Sequence, residues 1–169
     1  MRPMRVLGID PGTVRMGVSV VESNGNSYKL IHYDVLRMAS SENMCTRLGK
    51  IFRHIKKNIE QHKVDAVCIE DMFTAVNMRS ALKLGQGRGA AIAAAVDAGM
   101  DVFEYTPREI KKAISCYGAA SKEQVAQMVG ILVGVKDIKP FDATDAIAVS
   151  ICHLNTMPFR KATGTEYRA

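Results

Sequence analysis

Zinc-ligand spacing is absent from this sequence. Its four cysteines, Cys45, Cys68, Cys116 and Cys152, stand 23, 48 and 36 residues apart, so no CxxC pair exists. They read as reduced, mostly buried thiols. A membrane-length apolar run is also missing: the longest unbroken aliphatic stretch, Ala90 to Val96, falls far short of the ~20 residues a spanning helix requires. The N-terminus reaches Asp10 after one short apolar run, too short for a signal-peptide core. These absences predict no membrane partner and a cytoplasmic location. Two full domains do not fit in 169 residues, yet one domain of this size buries on the order of 70% of its unfolded surface and needs no disulfide or structural metal. What is abundant is positive charge: 23 Lys and Arg against 17 Asp and Glu leave +6, with pI about 9.2. That balance favours a polyanionic partner such as nucleic acid.

Three apolar runs open the chain: Arg5 to Asp10, Arg15 to Val21 and Tyr28 to Val35, separated by Pro11-Gly12 and Asn24-Gly25-Asn26. They predict three antiparallel strands. After Ser40-Ser41, the spacing of Met44, Leu48, Ile51, Phe52, Ile55 and Ile59 predicts an amphipathic helix. Val64 to Glu70 reads as a buried strand, Asn77 to Ala98 as a second helix and Val102 to Tyr105 as a fifth strand. In the second helix, Gly85, Gly87, Gly89 and the alanines from Ala90 to Ala95 leave room for another backbone, within the chain or across a subunit interface. Capping-box spacings at Thr106-Pro107-Arg108-Glu109 and at Ser121-Lys122-Glu123-Gln124 predict two further helices around a loop from Ser115 to Ala120. A last helix is expected from Phe141 to Asn155, followed by a mobile tail from Thr156. The order β-β-β-α-β-α-β-α-α-α predicts an α/β fold, a five-stranded mixed sheet flanked by helices. Right-handed crossovers place the fourth strand parallel to and beside the first.

That topology brings acids together. Asp10 ends the first strand and Glu70 the fourth, so both project from the carboxyl edge of the sheet, where α/β sites form. Asp142 and Asp145 are three apart at the start of the last helix and share a face. Singly, each has a structural reading: Asp10-Pro11-Gly12 is an ordinary turn, and Asp142 suits a helix first turn. Jointly, four carboxylates raise one another's pKa unless a cation compensates, and an all-oxygen ligand set points to magnesium or manganese.

Gly8-Ile9-Asp10-Pro11-Gly12, Ile69-Glu70-Asp71-Met72-Phe73, the run from Ser80 to Ala90 (SALKLGQGRGA) and Asp142-Ala143-Thr144-Asp145-Ala146 together resemble the RuvC family of bacterial Holliday-junction resolvases, over about residues 4 to 155. The resemblance implies a ribonuclease H-like domain over residues 1–156 with a flexible tail over 157–169. It implies a homodimer that resolves four-way junctions in recombination and repair by paired, magnesium-dependent nicks, with two ions per active site and manganese as a substitute. Asp10, Glu70, Asp142 and Asp145 are then the catalytic, metal-binding acids, and RuvA-RuvB is the branch-migration partner. The same resemblance places Lys111 and Lys122 near the scissile strand and presents Phe73 for stacking on a junction base. Arg79 and Lys83, with Lys112, are further candidates for a basic track, and Tyr117 for a second stacker. Lysines on amphipathic helices are otherwise solvated face, and a phenylalanine is otherwise core. The loop Cys116-Tyr117-Gly118 departs from the family's Gly-x-Gly.

His153, about 12 Å along the helix from Asp145 at 1.5 Å per residue, is read as structural. His32, His54 and His62 show no partner pattern. Three rival readings remain: an ATP-binding protein of the actin and sugar-kinase superfamily, suggested by Asp10-Pro11-Gly12-Thr13; a junction-binding module without catalysis; and a ribonuclease H-like nuclease acting on RNA.

Overall fold

The computed structural model describes residues 2–25, 27–71, 77–115 and 120–163, with side chains through Met157. Five strands form one sheet in the order β3-β2-β1-β4-β5. β1 (Met4–Asp10), β2 (Arg15–Ser23) and β3 (Tyr28–Arg37) are the antiparallel meander that their turn residues predict. β4 (Ala66–Glu70) lies parallel to β1, with Ile9 opposite Ile69, and β5 (Val102–Tyr105) lies parallel to β4, with Glu70 opposite Tyr105. The expected adjacency of first and fourth strands is therefore present. β1 and β4 are covered on both faces, which is why they read as unbroken apolar runs rather than as alternating ones.

Alternation along each strand assigns the faces. Leu7, Ile9, Val67 and Ile69 point into one core, with Ile51, Ile55 and Ile59 of α1 (Met44–His62) and Ala91, Ala94 and Ala95 of α2 (Met78–Asp97). Val6, Ala66, Cys68, Phe103 and Tyr105 point into the other, beneath α3 (Pro107–Ser115), α4 (Lys122–Val133) and α5 (Phe141–Thr163). Asp10 follows the parity of Val6 and Glu70 that of Cys68. Both carboxylates thereby belong to the α5 face.

Two glycines let α5 settle onto that face. A Cβ on Gly8 would stand 2.2 Å from the Ala146 carbonyl oxygen, and one on Gly17 would stand 1.9 Å from that of Asp142. No side chain fits either gap. Ser19 and Ser150, both buried, complete the contact with a hydroxyl pair at 3.0 Å. Gly17→Ala is therefore expected to push the first turn of α5 off β2, costing about 3 kcal/mol or more. Thermal unfolding measures the loss, and a melting temperature equal to that of the parent chain would contradict the contact.

The helix ends follow local chemistry. Asn43 and Asn77 cap α1 and α2 by accepting from the backbone N–H groups of Thr46 and Ser80, each at 2.8 Å. Both capping boxes close as expected: Glu109 accepts from the Thr106 N–H at 2.8 Å, and Gln124 from the Ser121 N–H at 2.9 Å. The last helix differs from expectation. α5 continues to Thr163, past Asn155 and into the segment expected to be a tail. Apolar periodicity ends near residue 155, but backbone hydrogen bonding propagates a formed helix without it. The small residues of α2 also divide. Gly87 packs against Thr13, whose methyl carbon an added Cβ would meet at 2.7 Å, whereas nothing lies within 4 Å of such an atom on Gly85 or Gly89.

Candidate active site

Asp10, Glu70, Asp142 and Asp145 line one open cleft of about 1430 Å³ at the carboxyl edge of the sheet. They come from three elements: the ends of β1 and β4, and the first turn of α5. Lys111 of α3 and Lys122 of α4 face the same cleft, as the resemblance implies. Lys122 Nζ lies 3.4 Å from Asp145 Oδ2. Arg15, at the start of β2, was not among the residues expected here, and its Nη2 lies 3.4 Å from Asp142 Oδ2. The hairpin register brings it in, because Asp10 pairs with Gly17 and leaves Arg15 just beyond the pair, opposite the start of α5.

Burial and mutual repulsion set the electrostatics. The Asp10 carboxyl is pushed up to about 8 by burial and then by the charges of Asp145, Glu70 and Asp142, with Lys122 opposing. Glu70 is raised to about 6 by burial and by Asp145, against Lys122 and Lys111. Asp145 is raised chiefly by burial, although Lys122 acts on it in the other direction. In return, the Asp145 carboxylate holds the Lys122 ammonium above its ordinary range. Half-neutralised carboxylates held together in this way are a site short of positive charge.

The donor set suits divalent magnesium or manganese, since every ligand atom is a carboxylate oxygen. Among the described residues, no three His, Cys, Asp or Glu side chains are gathered tightly enough to enclose an ion alone. Carboxylates that hold magnesium through one or two contacts, and leave water and substrate phosphate to complete its shell, need no such cage.

Other expected positions fall elsewhere. Arg79 and Lys83 are exposed on the first turns of α2, which packs on the opposite face of the sheet, and neither they nor the exposed Lys112 lines the cleft. The basic track expected from them is therefore not part of this cleft. Phe73 and Tyr117 lie outside the described residues. His153 is fully buried, with Nδ1 at 2.9 Å from the Tyr105 hydroxyl and its ring against Phe103, so it has the structural surroundings expected of it. The remaining histidines depart from expectation. His32 stacks on His62 with ring centroids 4.7 Å apart, and Asp34 stands between His54 at 3.0 Å and His32 at 3.4 Å. Strand β3 and helix α1 supply these groups from distant sequence positions, so no local spacing announces them. Arg47, buried on α1, donates through Nη1 to the Thr13 carbonyl at 3.0 Å and ties down the turn that follows Asp10.

Comparison with known proteins agrees with this geometry. The chain is 46% identical over 163 residues to crossover junction endodeoxyribonuclease RuvC of Trichlorobacter lovleyi, covering 95% of this chain and 90% of that one. A Thermus thermophilus RuvC structure superposes with a TM-score of 0.85 at 32% identity, covering 98% of this chain and 100% of the other. A T. thermophilus RuvC in complex with Holliday junction substrate gives the same TM-score at 30% identity, over 98% and 99% of the two chains. The sheet and its flanking helices are thus the ribonuclease H-like arrangement that the resemblance implies. Since the family model described as crossover junction endodeoxyribonuclease RuvC matches residues 6–153, nearly the whole folded span, the chain belongs to the RuvC family.

Proposed function

We infer that this chain is a structure-selective DNA endonuclease that resolves four-way junctions by paired symmetric nicks, with Asp10, Glu70, Asp142 and Asp145 as its catalytic acids. The observation that carries this reading is the convergence of four carboxylates from three elements in one cleft whose walls carry Lys111, Lys122 and Arg15. Membership of the RuvC family removes the kinase-like rival. No described helix is long and apolar enough to cross a membrane.

The four acids would hold two magnesium ions, with manganese able to replace them. Metal bound there makes the attacking water more acidic and offsets charge on the departing 3′ oxygen. Asp10, the most deeply set of the four, would hold the metal together with Glu70, Asp142 and Asp145. Lys122 and Lys111 offer point charges to the phosphates of the strand being cut. The exposed small-residue stretch of α2 around Gly85 and Gly89, with Leu82 beside it, suits close approach by a second copy, and two copies would supply the two opposed nicks. RuvA-RuvB would deliver the junction.

End-labelled cleavage of a synthetic four-way junction, a linear duplex and an RNA-DNA hybrid, each with magnesium and with chelator, tests the reading. Symmetric magnesium-dependent nicks confined to the junction are expected. Cleavage of the hybrid alone would replace the substrate, and tight junction binding without nicks would leave only a binding module. Lys111→Ala is expected to flatten the dependence of log affinity on log salt by about 0.9, one phosphate's worth for duplex DNA. An unaltered slope in a salt titration would remove Lys111 from the DNA path.

A further inference from the structure

Among the residues whose side chains are described, Phe141 is the one exposed phenylalanine, half in solvent at 50%. It opens α5 and stands next to Asp142, with consecutive Cα atoms about 3.8 Å apart. Its ring lines the same cleft as the four acids. The same cleft holds two positive groups: Arg15, which pairs with Asp142 at 3.4 Å, and Lys139, two residues before Phe141 in the chain and exposed. Lys122 and the exposed Ile131 of α4 also line this cleft. An apolar face left in water near cations, one residue from the acids that would hold metal, has the composition of a stacking platform for single-stranded nucleic acid. A nucleotide brings a flat base for the ring and a phosphate for those cations in one ligand.

We propose that Phe141 stacks on the nucleobase adjacent to the scissile phosphate, with Arg15 and Lys139 on the phosphates that flank it. The inference rests on the endonuclease reading and adds a binding residue to it. Contact through a π face is indifferent to base identity, so the stack holds an unpaired or splayed nucleotide in place rather than selecting a sequence. It also accounts for an aromatic at a position where burial contributes little.

The chain contains no tryptophan, so Phe141→Trp installs a single indole, excitable apart from the tyrosines, in the cleft. In an Asp145→Asn background, expected to bind while nicking far more slowly, saturating four-way junction is expected to quench its emission. Tyr33→Trp, exposed on the edge strand β3, is the control and should change little. In the chain with all four acids intact, Phe141→Ala is expected to weaken junction binding about 5- to 100-fold. Phe141→Tyr should restore affinity. Unchanged tryptophan emission while a gel shift shows bound junction would overturn the stack and leave the endonuclease reading standing. So would Phe141→Ala binding within two-fold of the parent. Emission already shielded without DNA, and exposed on dilution, would assign the ring to a second copy of the chain and overturn the proposal. Loss of junction preference by the parent chain itself would instead sink the endonuclease reading.

Discussion

Asp145→Asn is expected to bind a four-way junction at least as tightly as the parent chain and to nick it at least about 10²–10³-fold more slowly, the scale of removing one charge-stabilising group from an active site. The two halves have separate causes. Asp145 carries negative charge into a cleft that must accept a polyanion, and it occupies Lys122 at 3.4 Å. Its replacement by a neutral isostere releases that lysine towards phosphate. The same carboxylate raises the pKa of both Asp10 and Glu70, which marks it as a central charge of the cluster. Without it the donor set loses an anionic oxygen and the cleft holds divalent metal less well. Gel shift and end-labelled cleavage on one preparation measure both quantities. Nicking near the parent rate, or loss of binding together with nicking, would remove Asp145 from the proposed role.

Asp10→Asn is expected to stabilise the metal-free fold at alkaline pH. In the folded chain Asp10 ionises at about 8 and Glu70 at about 6, against ordinary values of 3.8 and 4.5. Between those limits the native state binds more protons than the unfolded state, so stability falls as pH rises and the loss is complete above about 8. Substituting Asp10 removes the larger part. Difference measurements cancel His62, whose lowered pKa works in the opposite sense in this pH range. In chelator at pH 8.5 the variant should exceed the parent by a few kcal/mol, on the scale of about 1.4 kcal/mol per pKa unit, and the two should converge near pH 4. Millimolar magnesium should reverse the order, because ligand binding stabilises the fold that holds it better. Denaturant unfolding at the two pH values, with and without metal, reads all four states. A variant equal to the parent at pH 8.5 in chelator would mean that Asp10 bears no burial or repulsion penalty.

Much of this architecture was legible from residue order. The turn pairs Pro11-Gly12 and Asn24-Gly25 delimit the meander, the unbroken run before Glu70 marks a strand covered on both faces, and Thr106 and Ser121 announce two helices through capping boxes that the structure closes. Such signals are local, written within four to ten residues. The adjacency of β1 and β4 followed from the handedness of a crossover, which depends on chain chirality and not on side chains. The end of α5 was read too early, because loss of apolar periodicity marks the end of burial and not of backbone hydrogen bonding. Arg79 and Lys83, read as candidates for a basic track from their spacing on the second helix, lie exposed on α2 outside the cleft lining.

The sequence by itself determined the order and type of the elements, the four acids and the edge of the sheet to which they belong. These rest on period, capping and strand parity, which short-range sterics and hydrogen bonding impose. Only the tertiary structure decided which cations face those acids. Arg15 reaches Asp142 through a hairpin register, Lys122 reaches Asp145 across the gap between α4 and α5, and the histidines of β3 and α1 gather around Asp34. It also decided the depth of the site, since α5 rests its backbone on Gly8 and Gly17 and so closes over Asp10. Pairings of that kind join residues 20 to 131 positions apart, from His54 with Asp34 to Ser19 with Ser150. Their geometry is set by how whole elements pack, which no local pattern encodes.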